Sequence, residues 1–312
     1  MKIYNINDIK RLDCETAVTV GMFDGVHIGH RQMVEHLAKK ASERGLKPVV
    51  LTFRNHPRNV LRQGETMPLL TTFEERMELL EMCGVEQVVA MQFDTDTAKL
   101  SACEFARYIL VERLNMRMLL LGYDNKFGSR HNDDFAMLPS VGKELSFDIE
   151  TDEPVLVDGV DVSSTKIRNA LTIGDIEKAN RMLGAPYSLT GRVVHGRHVG
   201  SGIGFPTANI EVTDSAADNH QSSAKMLPAD GVYAMLLSRD GKQYAAMGNL
   251  GNQPTYGLKN RTLEVHVIDF DGDLYGEQVR VAFRKRIRDV RQFENEHQLV
   301  EQLNRDKELC KL

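Results

Sequence analysis

The chain has 312 residues, 42% of them hydrophobic and 27% charged, and a formal net charge of −5. This is the make-up of an ordinary globular protein with room for two cored domains, and its charge offers no drive toward nucleic acid or an anionic membrane. Cys14, Cys83, Cys103 and Cys310 are widely scattered, which excludes a disulfide scaffold and a zinc-ribbon pattern. With no signal-type N-terminus and no apolar run of spanning length, a cytoplasmic protein is expected.

The first half alternates strand-like and helix-like segments. Val18-Thr19-Val20 leads into Gly21-Met22-Phe23-Asp24-Gly25-Val26-His27-Ile28-Gly29-His30. Glycines there allow tight turns and close backbone approach. The helix predicted over Arg31–Arg44, with Met33, Leu37 and Ala41 at helical spacing, offers free N–H groups and a positive dipole end to an anion. Pro48–Phe53 predicts a second strand, ending at Arg54-Asn55-His56-Pro57. Thr71 or Thr72 caps a helix over Phe73–Cys83, with Glu74 and Glu75 in its first turn. A strand follows over Val85–Phe93, and Ser101 with Glu104 forms a capping box for a helix over Cys103–Arg113. Met116–Leu121 predicts another strand, running into Gly122-Tyr123-Asp124, and Phe147–Asp161 a further strand with a loop. This order implies an α/β fold, with a mostly parallel sheet covered on both faces and ligands beyond the carboxyl ends of its strands. The polar clusters Asp24–His30, Arg54–His56, Gly122–Gly128 and Ser163–Arg168 fall there.

Ile167–Leu183 reads as helical with a break at Gly174-Asp175, and a domain boundary is expected at Gly184–Tyr187, giving domains 1–184 and 185–312. Short strands are predicted over Ser188–Val194, Gly231–Leu237, Lys242–Met247, Thr262–Phe270 and Gln278–Phe283. Asp240-Gly241 and Asp271-Gly272 are hairpin signals, so this half reads as a compact antiparallel barrel. Polar, weakly patterned Glu211–Pro228 reads as a mobile surface insertion. A last helix, Gln292–Leu309, is expected to set Phe293, Leu299, Leu303 and Cys310 against the barrel.

The clusters of the first half suit adenylyl transfer, which holds a triphosphate in line with an attacking oxygen and stabilises charge on phosphorus. His27 and His30 supply such stabilisation. Ser163-Ser164-Thr165-Lys166-Ile167-Arg168 offers three hydroxyls and two cations at a helix start, suited to the β- and γ-phosphates. The same loop lacks G-x-G-x-x-G spacing, which argues against a dinucleotide-dependent dehydrogenase.

The glycine–histidine loop and Ser163–Arg168 resemble the two signature motifs of HxGH-type nucleotidyltransferases, and the whole chain resembles the bacterial bifunctional riboflavin kinase/FAD synthetase family. Further matches are Thr52-Phe53 with His56-Pro57, Gly122-Tyr123-Asp124 with Phe127-Gly128, Tyr187–Gly196, Gly204-Phe205-Pro206-Thr207-Ala208-Asn209, Leu263-Glu264-Val265-His266 and Leu274-Tyr275-Gly276. The resemblance implies a Rossmann-like N-terminal nucleotidyltransferase domain and a C-terminal β-barrel riboflavin kinase domain. It implies that riboflavin is phosphorylated by ATP to FMN, and that FMN is adenylylated by a second ATP to FAD and pyrophosphate, both with Mg²⁺. His27, His30 and Glu264 become the catalytic residues, with Glu264 as general base. Gly21, Phe23, Asp24, Gly29, Asp124, Ser164, Thr165 and Arg168 become ligand-binding in the first domain. Gly204, Pro206, Thr207, Asn209 and Arg288 take that role in the second, where Thr207 and Asn209 also serve the metal. The implied partners are small-molecule flavins and ATP, without nucleic acid or membrane; the oligomeric state stays open.

Several positions depart from the family pattern. Asn55 stands where the family usually carries proline, Asn125-Lys126 replaces an aromatic or histidine followed by arginine, and Gln253 replaces an arginine. Val290 occupies the position of a flavin-side glutamate, so Arg288 or Arg291 is expected either to lose a partner or to find another, such as Asp289 or Glu294. The alternative function is accordingly an FMN adenylyltransferase with weakened riboflavin kinase activity.

Overall fold

A computed structural model of the chain describes residues 1–61, 67–123, 133–195, 202–213, 224–252 and 261–311. It divides into two compact units between Ser164 and Thr165, and Ala224 belongs with the first.

The first unit is built on a parallel sheet of six strands: β1 (Lys2–Asn5), β2 (Thr16–Gly21), β3 (Lys47–Phe53), β4 (Gln87–Met91), β5 (Met116–Leu121) and β6 (Asp148–Thr151). Their order is β1-β4-β3-β2-β5-β6. Successive side chains of these strands enter opposite cores, as expected of a sheet covered on both faces. Val18, Val20, Leu119 and Leu121 join one apolar cluster with Phe105 and Leu110, whereas Ala17, Met118 and Leu120 join another with Leu37 and Leu80. From β2 the chain proceeds to β3 and β4 on one side, then crosses to β5 and β6 on the other. The crevice at the carboxyl ends of β2 and β5 is therefore the switch point where such sheets bind ligands.

The helices that cover the sheet start where local chemistry sets them. Helix α1 (Ile28–Glu43) follows the glycine turn; a short α2 (Pro57–Leu61) follows β3. Helix α3 (Phe73–Met82) begins at a capping box in which Thr72 accepts from the Glu75 N–H and the Glu75 carboxylate accepts from the Thr72 N–H. Ser101 and Glu104 form the second box, heading α4 (Ala102–Glu104). The expected α-helix does not continue there. Phe105–Val111 is a π-helix, with the Glu112 N–H bonded to the Arg107 carbonyl at 3.0 Å. Its wider turn brings Phe105, Ala106, Ile109 and Leu110 all into the core. Helix α5 (Leu138–Leu145) precedes β6, and the expected strand-with-loop at Phe147–Asp161 resolves into β6 and a small hairpin, β7 (Leu156–Val157) with β8 (Val160–Asp161).

Asn55 has a structural reason to be where it is. It is buried, and its amide donates to the Phe93 carbonyl and accepts from the Phe93 N–H, both at 2.8 Å. This two-way latch ties the loop after β3 to the loop after β4. Asn55→Ala leaves both backbone groups of Phe93 unpaired, so a loss of about 1–3 kcal/mol is expected in chemical denaturation followed by circular dichroism.

The second unit begins at Thr165, the second residue of α6 (Ser164–Ile173), and continues into α7 (Ile176–Leu183), the helices being broken at Gly174 and restarted by the Asp175 cap. Asn180 of α7 donates to the Phe283 carbonyl and accepts from the Tyr187 N–H, which ties this helix to the strands that follow. Those strands are β9 (Tyr187–Val194), β10 (Ala208–Val212), β11 (Gly231–Arg239), β12 (Lys242–Asn252), β13 (Arg261–Val267) and β14 (Gln278–Arg288). They close into an antiparallel barrel of order β10-β13-β12-β11-β14-β9.

Asp240 and Gly241 both adopt positive φ and turn β11 into β12, as the hairpin signal requires. Asp271-Gly272 is not a hairpin. β13 pairs with β10 and β12, and β14 with β11 and β9, so the connection crosses the barrel end instead of folding back. The loose insertion expected over Glu211–Pro228 falls partly on residues 214–223, outside the described residues. What is described is tied down: Met226 is buried, its carbonyl accepts from the Tyr187 hydroxyl, and the Lys225 ammonium lies 5.3 Å from the Tyr187 ring centroid. The last helix, α8 (Glu296–Cys310), starts later than expected because Asn295 caps it. Val300, Leu303 and Cys310 pack with Phe205, Val232, Met247 and Ile268, while Phe293 precedes the helix and lies under the guanidinium groups of Arg288 and Arg291.

Candidate active sites

At the carboxyl end of β2 the backbone enters an unusual path. Phe23 and Val26 have φ of 51° and 37°, left-handed values that non-glycine residues rarely adopt and that cost a β-branched residue most. The loop is held there by its surroundings. The Asp24 carboxylate accepts from the Leu70 and Thr71 N–H groups, each at 3.0 Å, and from the Thr71 hydroxyl at 3.1 Å. Thr71 in turn accepts from the Gly25 N–H. Arg31 Nε donates to the Val26 carbonyl at 3.0 Å, the Thr52 hydroxyl donates to the Met22 carbonyl at 3.2 Å, and the Ser164 hydroxyl donates to the Asp24 carbonyl at 2.9 Å. Ser164 thus binds directly to the glycine–histidine loop, joining the two motifs read as a phosphate site.

His27 is the N-cap of α1: its Nδ1 accepts from the His30 N–H at 3.3 Å. The two imidazoles stack with centroids 3.6 Å apart, and the Phe23 ring flanks His30 at 5.1 Å. Gly29 makes the arrangement possible, because a Cβ there would sit 3.3 Å from the His27 ring. Burial first, then the neighbouring His27 and the Arg76 charge, hold His30 well below the usual histidine range, so it is uncharged at neutral pH.

Of the other expected ligand-binding residues, Gly21 ends β2, where a Cβ would press on the Phe23 ring at 3.1 Å. Thr165 is exposed and Arg168 buried on α6, in the second unit. Asp124 lies outside the described residues, as do Asn125, Lys126 and Gln253.

In the barrel, strand register builds the second cluster. Asn209 of β10 is directly opposite Glu264 of β13, and Asn249 of β12 is opposite Glu264 on its other side. Leu263 and Val265 point into the core, so Glu264 and its two asparagine neighbours share the outer face. Thr207, two residues before Asn209, is half-buried, and Gly204 enters the segment at a φ of 82°. The Pro206 carbonyl is held by His266 Nδ1 at 2.9 Å. A carbonyl only accepts, so that nitrogen carries the proton.

Arg288 is not brought to this cluster. It sits on β14, three strands from β13 in either direction around the barrel, and pairs through Nε and Nη2 with the buried Asp306 of α8 at 2.8 and 2.7 Å. Arg291 donates to the Gln302 side chain. Val290 therefore leaves neither arginine without a partner. The acceptors come from α8, not from the Asp289 carboxylate or Glu294.

The sequence reading missed Thr71, Arg76, His266 and Asn249. Thr71 was legible only as a cap, and the other three gain their positions from strand pairing and burial.

Residues 9–166 match a family model described as FAD synthetase, and residues 183–312 match one described as riboflavin kinase. The chain belongs to the bifunctional riboflavin kinase/FMN adenylyltransferase family. It is 34% identical to the protein of that name from Escherichia coli K12, over 97% of this chain and 94% of the relative. The Haemophilus influenzae protein of the same name is 35% identical, over 99% and 97%. A crystal structure described as a macrolide-efflux protein from Streptococcus pneumoniae shares the fold, with a TM-score of 0.88, 31% identity and coverage of 100% and 99%. Among the described residues no helix is long and apolar enough to cross a membrane.

Proposed function

We propose that the chain phosphorylates riboflavin to FMN in its second domain and adenylylates FMN to FAD in its first. The observation that carries this reading is the presence of two separate constellations in one chain of this family: the stacked His27–His30 pair on a clamped loop, and Glu264 in register with Asn209. Incubation with riboflavin, ATP and Mg²⁺, with flavins separated over time, tests it: FMN followed by FAD is expected. Supplying FMN directly tests the second step alone.

In the kinase domain the Glu264 carboxylate accepts the proton of the ribityl hydroxyl as its oxygen bonds to the γ-phosphorus of ATP and ADP leaves. The donor set fits a hard divalent cation. Mg²⁺ takes oxygen ligands, needs few from the protein and keeps phosphate oxygens and waters, and Thr207 and Asn209 would hold it through neutral oxygens, Asn209 being in register with Glu264. When bound, it neutralises phosphate charge. Gly204 and Pro206 lead the chain into this pair.

In the first domain an FMN phosphate oxygen attacks the α-phosphorus of ATP and pyrophosphate leaves. His27 and His30 donate hydrogen bonds to the charge that develops on the phosphate oxygens. Gly21, Phe23, Asp24 and Gly29 shape the loop that carries them, and the family resemblance adds Asp124 to the ligand-binding residues. Ser164, Thr165 and Arg168 hold the β- and γ-phosphates at the start of α6. The catalytic division of the chain is placed at 184/185. The two family models leave residues 167–182 between them, so α6 and α7 connect the modules. A cytoplasmic location, with small-molecule rather than nucleic-acid partners, accords with four free cysteines and a net charge of −5.

The weakened-kinase alternative rests on Val290 and Gln253; Gln253 lies outside the described residues, and at Val290 the pairing of Arg288 with Asp306 speaks against it. Val290 is half exposed. Val290→Glu is expected to change riboflavin affinity by less than about fivefold, because a solvated ion pair is worth under ~1 kcal/mol. Fluorescence titration of riboflavin checks this, and a tenfold gain or more, on the order of 1.4 kcal/mol, would show that a flavin contact had been missing.

A further inference from the structure

Arg76 is the largest fully buried side chain among the described residues, with 0% exposure. It lies on α3 and reaches under the glycine–histidine loop. Its Nη1 donates to the Met22 carbonyl and makes a longer contact, 3.5 Å, with the Thr52 hydroxyl. Its Nε and Nη2 are buried without a hydrogen-bond partner among the described residues. An arginine packed this way is costly to keep, since a buried donor left unpaired costs a kilocalorie per mole or more. Burial brings its pKa down to about 10, against the opposing charges of Asp24 and Glu74, so it stays a cation at neutral pH. The Phe73 ring takes the Arg54 guanidinium at 4.5 Å and that of Arg76 at 5.5 Å. The carbonyl it grips belongs to Met22, the residue immediately before the left-handed Phe23, and the hydroxyl belongs to the end of the adjacent strand.

We propose that Arg76 is a positioning residue for adenylyl transfer, fixing the strained Met22–Val26 backbone from beneath so that His27 and His30 face the phosphates in one arrangement. The inference rests on the adenylyl-transfer reading of this loop. Arg76 touches neither substrate nor reacting atoms and acts through the loop. A displacement of about 1 Å in such a frame costs on the order of 100-fold in rate.

The test is a double-variant cycle in the full chain, with riboflavin phosphorylation by the same preparation as internal reference and a thermal melt to establish folding. Arg76→Met is expected to lower the maximal rate of FAD formation by roughly 10- to 100-fold, with much smaller changes in the KM for ATP and FMN. Arg76→Lys, which keeps a cation and a donor, is expected to recover part of that loss. Adding His30→Ala to Arg76→Met should cost far less than His30→Ala alone, because groups that act as one unit are not additive. Parental FAD formation by Arg76→Met, or costs that simply multiply in the double variant, overturns the proposal. If Arg76→Met does not fold, Arg76→Lys carries the same cycle with the same criteria. Parental FAD formation by His30→Ala alone removes the site reading itself, and the proposal with it, which separates the two failures.

Discussion

His30→Ala is expected to lower FAD formation from FMN by roughly 100- to 1,000-fold, the usual cost of removing a donor aimed at charge that develops in a transition state. Riboflavin phosphorylation, carried by the barrel, should stay at the parental rate. The substitution deletes the ring stacked on His27 but keeps the His30 backbone N–H, which is the group that the His27 cap bond uses. The loop geometry is thus expected to survive. Wild-type FAD output from folded His30→Ala protein would refute the assignment. A stability readout accompanies it. The folded-state pKa of His30 lies below 6.5, so below that pH the unfolded chain binds a proton the folded chain resists, and stability is lost as pH falls. Thermal midpoints taken downward from pH 6.5 should fall less steeply in His30→Ala than in the parent.

Glu264→Gln carries the second large effect. The amide keeps the size of the side chain and its place opposite Asn209, but it cannot take the hydroxyl proton. A fall of about 100-fold or more in FMN formation is expected, the ordinary worth of a general base. Adenylylation of supplied FMN should be unaffected, since it occurs in the other domain. Initial rates of both reactions in one preparation provide the check. Phosphorylation at the parental rate would leave Glu264 as a polar residue on an outward strand face and nothing more.

What was legible in the sequence follows the range of the interaction that writes it. The capping box at Ser101–Glu104 and the cap at Thr72, one of two threonines that qualified, are local statements and appear where they were expected; that Glu75 closes a box with Thr72 was not read. The parallel sheet and the barrel were legible for a similar reason, because alternation and turn spacing repeat along the chain. The edge strand Lys2–Asn5 was not, since a short, largely exposed strand has no apolar pattern to show. Ala208–Val212 was hidden because Ala208 and Asn209 were read for chemistry, while Glu211 and Val212, which complete the strand, were read as the start of a mobile insertion. Asp271-Gly272 is a turn by local preference, but barrel closure gave β13 and β14 other partners, and pairing outweighs a dipeptide.

The candidate sites divide in the same way. His27, His30 and Glu264 stand in recognisable surroundings. Arg76 sits in a stretch, Phe73-Glu74-Glu75-Arg76-Met77, that reads as a charged surface helix. Only the packing of α3 beneath the loop reveals that this arginine is interior. The Arg288–Asp306 pair joins residues that sequence alone gives no reason to connect, and so Val290 seemed to leave a vacancy that α8 had already filled.

The cap bond of α1 has one more consequence. An imidazole nitrogen that accepts a hydrogen bond carries no proton, so when His27 Nδ1 receives the His30 N–H, the single ring proton must reside on Nε2. The start of the helix therefore selects the tautomer, and with it what the ring offers on its other side: a donor, suited to an anionic oxygen, and never an acceptor. Secondary structure here sets the polarity of a group proposed to be catalytic. A change that frays the first turn of α1 can reverse that polarity without touching His27 itself.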